Sequence, residues 1–281
     1  TGIADEFLSD GKPIVVTKGR TDGEQKTVAT KKGKLENMPL TVLVDENSAS
    51  ASEILAGALQ DNDRATIIGR RTFGKGLVQV QQGLVDGSAI RLTIARYYTP
   101  TGRCIQKPYD KGLDAYESDE MNRYKHGELY SRDSIHFPDS LKYKTPAGKT
   151  VYGGGGIMPD NFIPLDTTGS SHYIDELYRR DVFVMWALNY SYVNGAKLRS
   201  MGMEKFRSDF TVDQNMLEQF ASLAEKNGVK KDPQDLKRMA AVIGRYMKAS
   251  LARLIWGDTG FTIIVNDADT AIANAVAELS K

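Results

Sequence analysis

Two short stretches carry side chains that could do covalent chemistry together: Asn47-Ser-Ala-Ser-Ala-Ser-Glu53 and Thr72-Phe-Gly-Lys-Gly-Leu-Val-Gln79. Ser50, on the first turn of an expected helix, and Lys75, on a glycine-flanked turn, are a candidate nucleophile and base. No histidine lies near either stretch, so an unprotonated lysine is the natural proton acceptor. A lysine ammonium titrates near about 10.4 in water and is no base at neutral pH. Burial against Phe73, Leu77 and Val78 would disfavour its charged form. Gly74 and Gly76 would let the backbone turn tightly and aim the amine inward. Gln79, four residues on, could orient that amine through its side-chain carbonyl, or equally be an outward strand residue.

Each feature also has a plainer reading. Ser50-Ala-Ser-Glu53 fits a capping box, in which the hydroxyl merely accepts a backbone N–H. A lysine in a glycine-rich turn is usually solvated. Yet a helix start also offers free N–H groups and a partial positive charge to an oxyanion. Ser48 and Ser52 are the rival nucleophiles. Helical positions are separated by about 100° per residue, so Ser52 should point well away from Ser50.

The elements that must hold these residues follow from periodicity. Residues 3–9 read as the end of a helix stopped by Gly11, and 14–17 as a short strand. Lys18 to Lys34 reads as a polar surface loop. Leu40-Thr-Val-Leu-Val44 suits a strand buried on both faces. A helix is expected over 51–60 and a buried strand over 65–68. Residues 77–82 and 89–98 flank Asp86-Gly87, a hairpin signal. Together these predict an α/β core with an antiparallel hairpin. Residues 107–150 read as a polar surface excursion, closed by Gly153-Gly-Gly-Gly156. The rest reads as mainly helical: 175–194 stopped at Gly195, 213–227 capped by Asp213, a helix opened by Asp232-Pro233 up to about 255, and 269–279. A strand is expected over Phe261–Val265. The expected boundary divides 1–170 from 171–281.

With 41% apolar and 26% charged residues and a net charge of +1, the chain is ordinary globular material, with no charge argument for nucleic acid or an acidic membrane. The single cysteine, Cys104, excludes an internal disulfide. No apolar run approaches membrane-spanning length. His126, His136 and His172 lack metal-ligand spacing, and the glycine run is followed by no Lys-Ser/Thr pair that would make it a phosphate loop. No metal or cofactor is expected. The opening Thr1-Gly-Ile-Ala-Asp-Glu-Phe-Leu8 reads as a chain cut inside a domain.

Ser48-Ala-Ser-Ala-Ser-Glu-Ile54 with Ala56-Gly-Ala-Leu59, and Thr72–Gln79 at a Ser50-to-Lys75 separation of 25 positions, resemble the carboxyl-terminal processing and tail-specific proteases. These are the serine-lysine peptidases of family S41. Ala95-Arg-Tyr-Tyr-Thr-Pro-Thr-Gly-Arg103 and Gly154-Gly-Gly-Ile-Met-Pro-Asp160 are further family-like segments. The resemblance covers about residues 1–165, and the helical remainder matches loosely. It implies a crotonase/ClpP-like core and a serine endopeptidase acting near protein C-termini through an acyl-enzyme. In that scheme Ser50 is nucleophile, Lys75 base and Gln79 its helper, with the Ala51 N–H as one oxyanion donor. It also implies a periplasmic or cell-envelope location and protein or peptide substrates. A separate reading makes the helical region after 170 an interaction module for oligomerisation or an adaptor, with the core a passive mount. The family's usual PDZ domain and its upstream Gly-Gly oxyanion segment have no counterpart, and Cys104 stands where serine is common. A truncated member is therefore expected, and the chain by itself could be inactive. The alternative is a non-catalytic binding module on the same fold.

Overall fold

Short apolar runs separated by glycine and polar turns make the first part of the chain a set of brief strands around one buried helix. The computed structural model describes residues 1–21, 23–110 and 112–281. Asp22 and Lys111, which fall within the expected loop 18–34 and the excursion 107–150, lie outside the described residues. Two compact units result: Thr1–Leu165 together with Ala271–Lys281, and Asp166–Thr270.

In the first unit, α1 (Gly2–Asp5) leads into β1 (Pro13–Gly19), β2 (Gly23–Val28) and β3 (Thr41–Val44). Then come α2 (Ala51–Asp61), β4 (Thr66–Gly69) and the hairpin strands β5 (Leu77–Gly83) and β6 (Ala89–Tyr98). After α3 (Leu113–Glu117) and α4 (Asp119–Lys125), the short strands β7 (Lys142–Lys144), β8 (Thr150–Tyr152) and β9 (Asn161–Phe162) follow. The order β2-β1-β6-β5 forms an antiparallel sheet. Strands β3, β4 and β9 form a small parallel one. Helix α2 connects the parallel neighbours β3 and β4, as a parallel pair requires. It buries Ala56, Ala58 and Leu59 against a core that includes Leu8, Ile14 and Ile67.

Several expectations are corrected here. The helix expected over 3–9 is only one turn, Gly2–Asp5. The supposed loop 18–34 contains β2, all of it exposed and paired with β1 from Pro13↔Val28 to Gly19↔Gly23. Its polar residues carry no hydrophobic alternation, so backbone pairing holds a strand that the pattern could not reveal. Strand β3 is not buried on both faces, since Val44 is inside and Leu43 is 44% exposed. It is the outer strand of its sheet.

The second unit is helical: α5 (His172–Arg179), α6 (Val182–Met201), α7 (Met203–Asp209), α8 (Gln214–Lys226), α9 (Pro233–Arg238) and α10 (Ala240–Asn266). The chain then enters α11 (Thr270–Leu279). Asp213 caps α8 by accepting the Met216 N–H at 2.8 Å, as its residue type suggests. The helix expected over 175–194 is instead two, split at Asp181, whose φ is 54°. Gly195 is buried inside α6 rather than ending it, because a mid-helix glycine costs only about 1 kcal/mol. Phe261–Val265 is helix and not strand, the last part of α10 beyond a bend at Gly257. Its β-branched residues favour strand locally, but Gly260 and Ile264 are buried one turn apart, and packing overrides that preference. Among the described residues no helix is long and apolar enough to cross a membrane.

Candidate active site

The turn between β3 and α2 is built around Asp45 and Ser48. The Asp45 carboxylate accepts the N–H groups of Asn47 and Ser48 at 3.0 Å each and the Ser48 hydroxyl at 3.1 Å. Ser48, one of the rival serines, is thus committed to its own turn, and Ser52 is exposed on the helix surface. Ser50 stands at the helix start with φ 57° and ψ −115°. A non-glycine residue in such a conformation costs about 1–3 kcal/mol and persists only where surrounding contacts over-determine it. Sharp strand-to-helix turns of this kind push a serine hydroxyl out of the backbone envelope.

The contacts that over-determine it come from the lysine turn. Glu53, fully buried on the first turn of α2, accepts the Ser50 N–H at 3.0 Å and the Lys75 N–H at 2.8 Å through Oε2. Through Oε1 it accepts the Gly74 N–H at 2.7 Å and the Thr72 hydroxyl. Four donors converge on it, the pattern a carboxylate takes, next to the positive end of a helix. The Phe73 N–H donates to the Ser48 carbonyl at 3.0 Å. From β6, the Tyr97 hydroxyl lies 2.9 Å from the Ser50 carbonyl oxygen and also meets the carbonyl of Lys75. Burial and the nearby Glu53 charge push the Tyr97 phenol well above its ordinary range, which keeps it a donor.

The two glycines have packing reasons. Gly74 adopts φ +86°, and a Cβ there would stand 3.0 Å from the Gly156 nitrogen and 3.2 Å from the Lys107 Cβ. A Cβ on Gly76 would meet the Gln106 nitrogen at 3.0 Å, and the Gly76 N–H donates to Gln106 Oε1 at 2.8 Å. Behind the turn, the Lys107 ammonium lies 4.0 Å from the Phe73 ring centroid and 4.3 Å from that of Tyr116, a cation–π cage. At the other end of α2, Asp61 and Arg103 form a fully buried ion pair at 2.7 Å. Arg103 also donates to Gln60 Oε1 and to the Tyr152 carbonyl.

Ser50 and Lys75, both half-buried, are therefore brought together at the backbone. Ala51 is the first residue of α2, where N–H groups have no intrahelical acceptor. Gln79 is exposed on β5 after a bulge, opposite Thr93, and its amide nitrogen donates to the Thr93 hydroxyl at 3.3 Å. Glu53 entered the sequence reading only as a capping residue. Tyr97 and Thr72 had no assigned role, although both fall inside motif segments. Among the described residues no cluster of three or more His, Cys, Asp or Glu side chains is arranged to hold a metal ion.

Comparison with known proteins adds the family. Residues 1–114 match Peptidase family S41, and 173–257 match a family of unknown function, DUF8443. The carboxy-terminal-processing protease of Bartonella bacilliformis is 50% identical over 105 residues, 37% of this chain and 24% of that protein. Carboxyl-terminal-processing peptidase 1, chloroplastic, of Arabidopsis thaliana is 48% identical over 94 residues, 34% of this chain and 19% of that protein. The carboxyl-terminal-processing protease of Synechocystis is 50% identical over 94 residues, 34% of this chain and 22% of that protein. A solved photosystem II D1 C-terminal processing protease is similar over 58% of this chain and 30% of that one, at 29% identity and a TM-score of 0.38. The matched segments span 19% to 24% of these three curated relatives. Residues 1–114 of this chain are a peptidase family S41 domain, and the relatives they match are carboxy-terminal-processing proteases.

Proposed function

We propose that residues 1–170 carry a serine-type peptidase site in which Ser50 is the nucleophile and Lys75 its general base. The reading rests on the backbone clamp, in which one buried carboxylate takes the N–H groups of both Ser50 and Lys75. In the reaction, the Lys75 amine accepts the Ser50 proton as Oγ attacks the scissile carbonyl. The Ala51 N–H, at the positive end of α2, stabilises the oxyanion. As the C–N bond breaks, Lys75 returns the proton to the leaving amine, and water then hydrolyses the acyl-enzyme. Gln79 assists by accepting from the Lys75 amine through its side-chain carbonyl, while its amide nitrogen stays on Thr93.

Substrates in this reading are proteins or peptides cut near their C-termini, in keeping with the names of the relatives. They lie as an added strand on the sheet, for which β5 offers an edge that starts two residues after Lys75. Residues 171–281 serve contacts with further copies or an adaptor, and the site of action is the cell envelope or periplasm. The test compares cleavage of an unfolded protein by the unsubstituted chain, Ser50→Ala and Lys75→Ala. Loss of cleavage in both variants is expected. Equal cleavage by all three refutes the assignment. Retained peptide binding without cleavage by any of them favours a binding module on the same fold.

A further inference from the structure

We infer that Tyr97 is a positioning residue for this site, its hydroxyl setting the spacing between the Ser50 turn and the Lys75 turn; the inference rests on the Ser50–Lys75 reading above. Tyr97 lies near the end of β6 and is 3% exposed. Its backbone N–H donates to the Gly76 carbonyl at 3.0 Å, so the main chain alone joins β6 to the lysine turn. The hydroxyl does something the main chain does not. It stands where the carbonyls of Ser50 and Lys75 converge, 2.9 Å from the first and in contact with the second.

Two carbonyl dipoles pointing at one buried spot repel each other unless a donor sits between them. A tyrosine hydroxyl has one proton, which the two oxygens must share. Glu53 accepts the N–H groups of the same two residues. The two turns are therefore held at both their N–H and their carbonyl groups, by two holders that differ in kind. Glu53 fixes where the segments meet. Tyr97 fixes the rotation of the peptide unit after Lys75 from its carbonyl end, while Gln106 Oε1 holds the Gly76 N–H of the same unit at 2.8 Å; that rotation bears on how the Lys75 Cα, and with it the side chain, is set.

The flanking residues make that rotation sensitive. Gly74 and Gly76 have no side chain to restrict their dihedrals, so without the hydroxyl the peptide after Lys75 is held at its Gly76 N–H by Gln106 Oε1 but no longer at its carbonyl. Ser50 is less free, because its carbonyl also accepts the Glu53 and Ile54 N–H groups at 3.0 and 3.1 Å. Loss of the hydroxyl should therefore leave the serine in its turn and let the lysine drift. A misplacement of about 1 Å at a reacting group can cost on the order of 100-fold in rate.

The experiment is Tyr97→Phe, which keeps the ring, the β6 pairing and the Tyr97 backbone bond. Phosphonylation of Ser50 by a fluorophosphonate probe, in which the Oγ–P bond forms and fluoride leaves, is followed by mass spectrometry, alongside kcat and KM on a peptide substrate. The expected result is a drop of about 10- to 100-fold in both labelling rate and kcat, with KM within about twofold. A purely structural role would lower the melting temperature and leave kcat unchanged well below it. A labelling rate and kcat within about twofold of the unsubstituted protein overturn the inference while Ser50→Ala remains dead. If the unsubstituted protein is not labelled at Ser50, the site reading itself fails and takes this inference with it.

Discussion

Replacing Glu53 with glutamine tests the clamp with almost no change in volume. The carboxylate accepts four donors: the N–H groups of Ser50, Gly74 and Lys75, and the Thr72 hydroxyl. A glutamine amide has one accepting oxygen and one donating nitrogen. If the nitrogen takes the Oε2 position, the Ser50 and Lys75 N–H groups face a donor. If it takes the Oε1 position, Gly74 and Thr72 do. The Thr72 hydroxyl already accepts the Ile157 N–H at 2.6 Å, so its rotation offers little relief. At least one buried backbone N–H is left without an acceptor, at about 1–3 kcal/mol. The bonds that survive lose their charge assistance, roughly 1 kcal/mol each. The sum is a local destabilisation of about 3–5 kcal/mol. Both tryptophans, Trp186 and Trp256, lie in the helical unit, so their fluorescence reports the wrong half of the molecule. Hydrogen exchange of peptides spanning 48–56 and 70–78 reads the clamp directly. Glu53→Met, which orphans all four donors, should be worse than Glu53→Gln. A loss under about 1 kcal/mol for either variant would refute the reasoning.

Two further outcomes follow from the same geometry. Burial pushes the phenols of Tyr97 and Tyr178 above their ordinary range, so above about pH 10 the unfolded chain loses protons that the folded one keeps. Stability is then fully present below that pH and falls as it rises. Tyr97→Phe should flatten the decline by up to about 1.4 kcal/mol per pH unit, measured by urea unfolding between pH 9 and 11. Identical slopes would contradict the burial of that hydroxyl. Gly74→Ala and Gly87→Ala both force alanine to a positive φ, +86° and +85°, at about 1–3 kcal/mol each. Only Gly74 also has neighbours within reach of a new Cβ, so its variant should lose about 1–3 kcal/mol more, and equal melting temperatures would refute that contrast.

Much of the first unit was readable because its signals are local. The apolar runs of β3 and β4, the helix between them and the Asp86-Gly87 hairpin each declare themselves within a few residues. Where burial is decided by distant partners, the pattern falls silent or misleads. Strand β2 is polar but for its last residue, Val28, and exposed along its length, and it exists because β1 pairs with it. Phe261–Val265 carries β-branched residues but turns helical because Ile264 finds a core. Gly195 looks like a stop signal and is buried in mid-helix. The candidate site divides the same way. The spacing from Ser50 to Glu53 announces a capping box, and the Ser50 N–H does bond to Glu53. The three remaining donors arrive from 19 to 22 residues away, beyond any local rule. Tyr97 is more distant still, 47 residues from Ser50. The side-chain partner of Gln79, Thr93, is set by a bulged hairpin register, which no four-residue spacing can express.

The central claim is that Ser50, and not its neighbours, is made nucleophilic by Lys75. Mapping the fluorophosphonate adduct by tandem mass spectrometry in the unsubstituted protein and in Lys75→Ala tests it most directly. The account predicts one adduct, on Ser50, which disappears or slows by at least about 100-fold without the lysine. An adduct on Ser48 or Ser52, or a Ser50 adduct that forms as fast in Lys75→Ala, would contradict it.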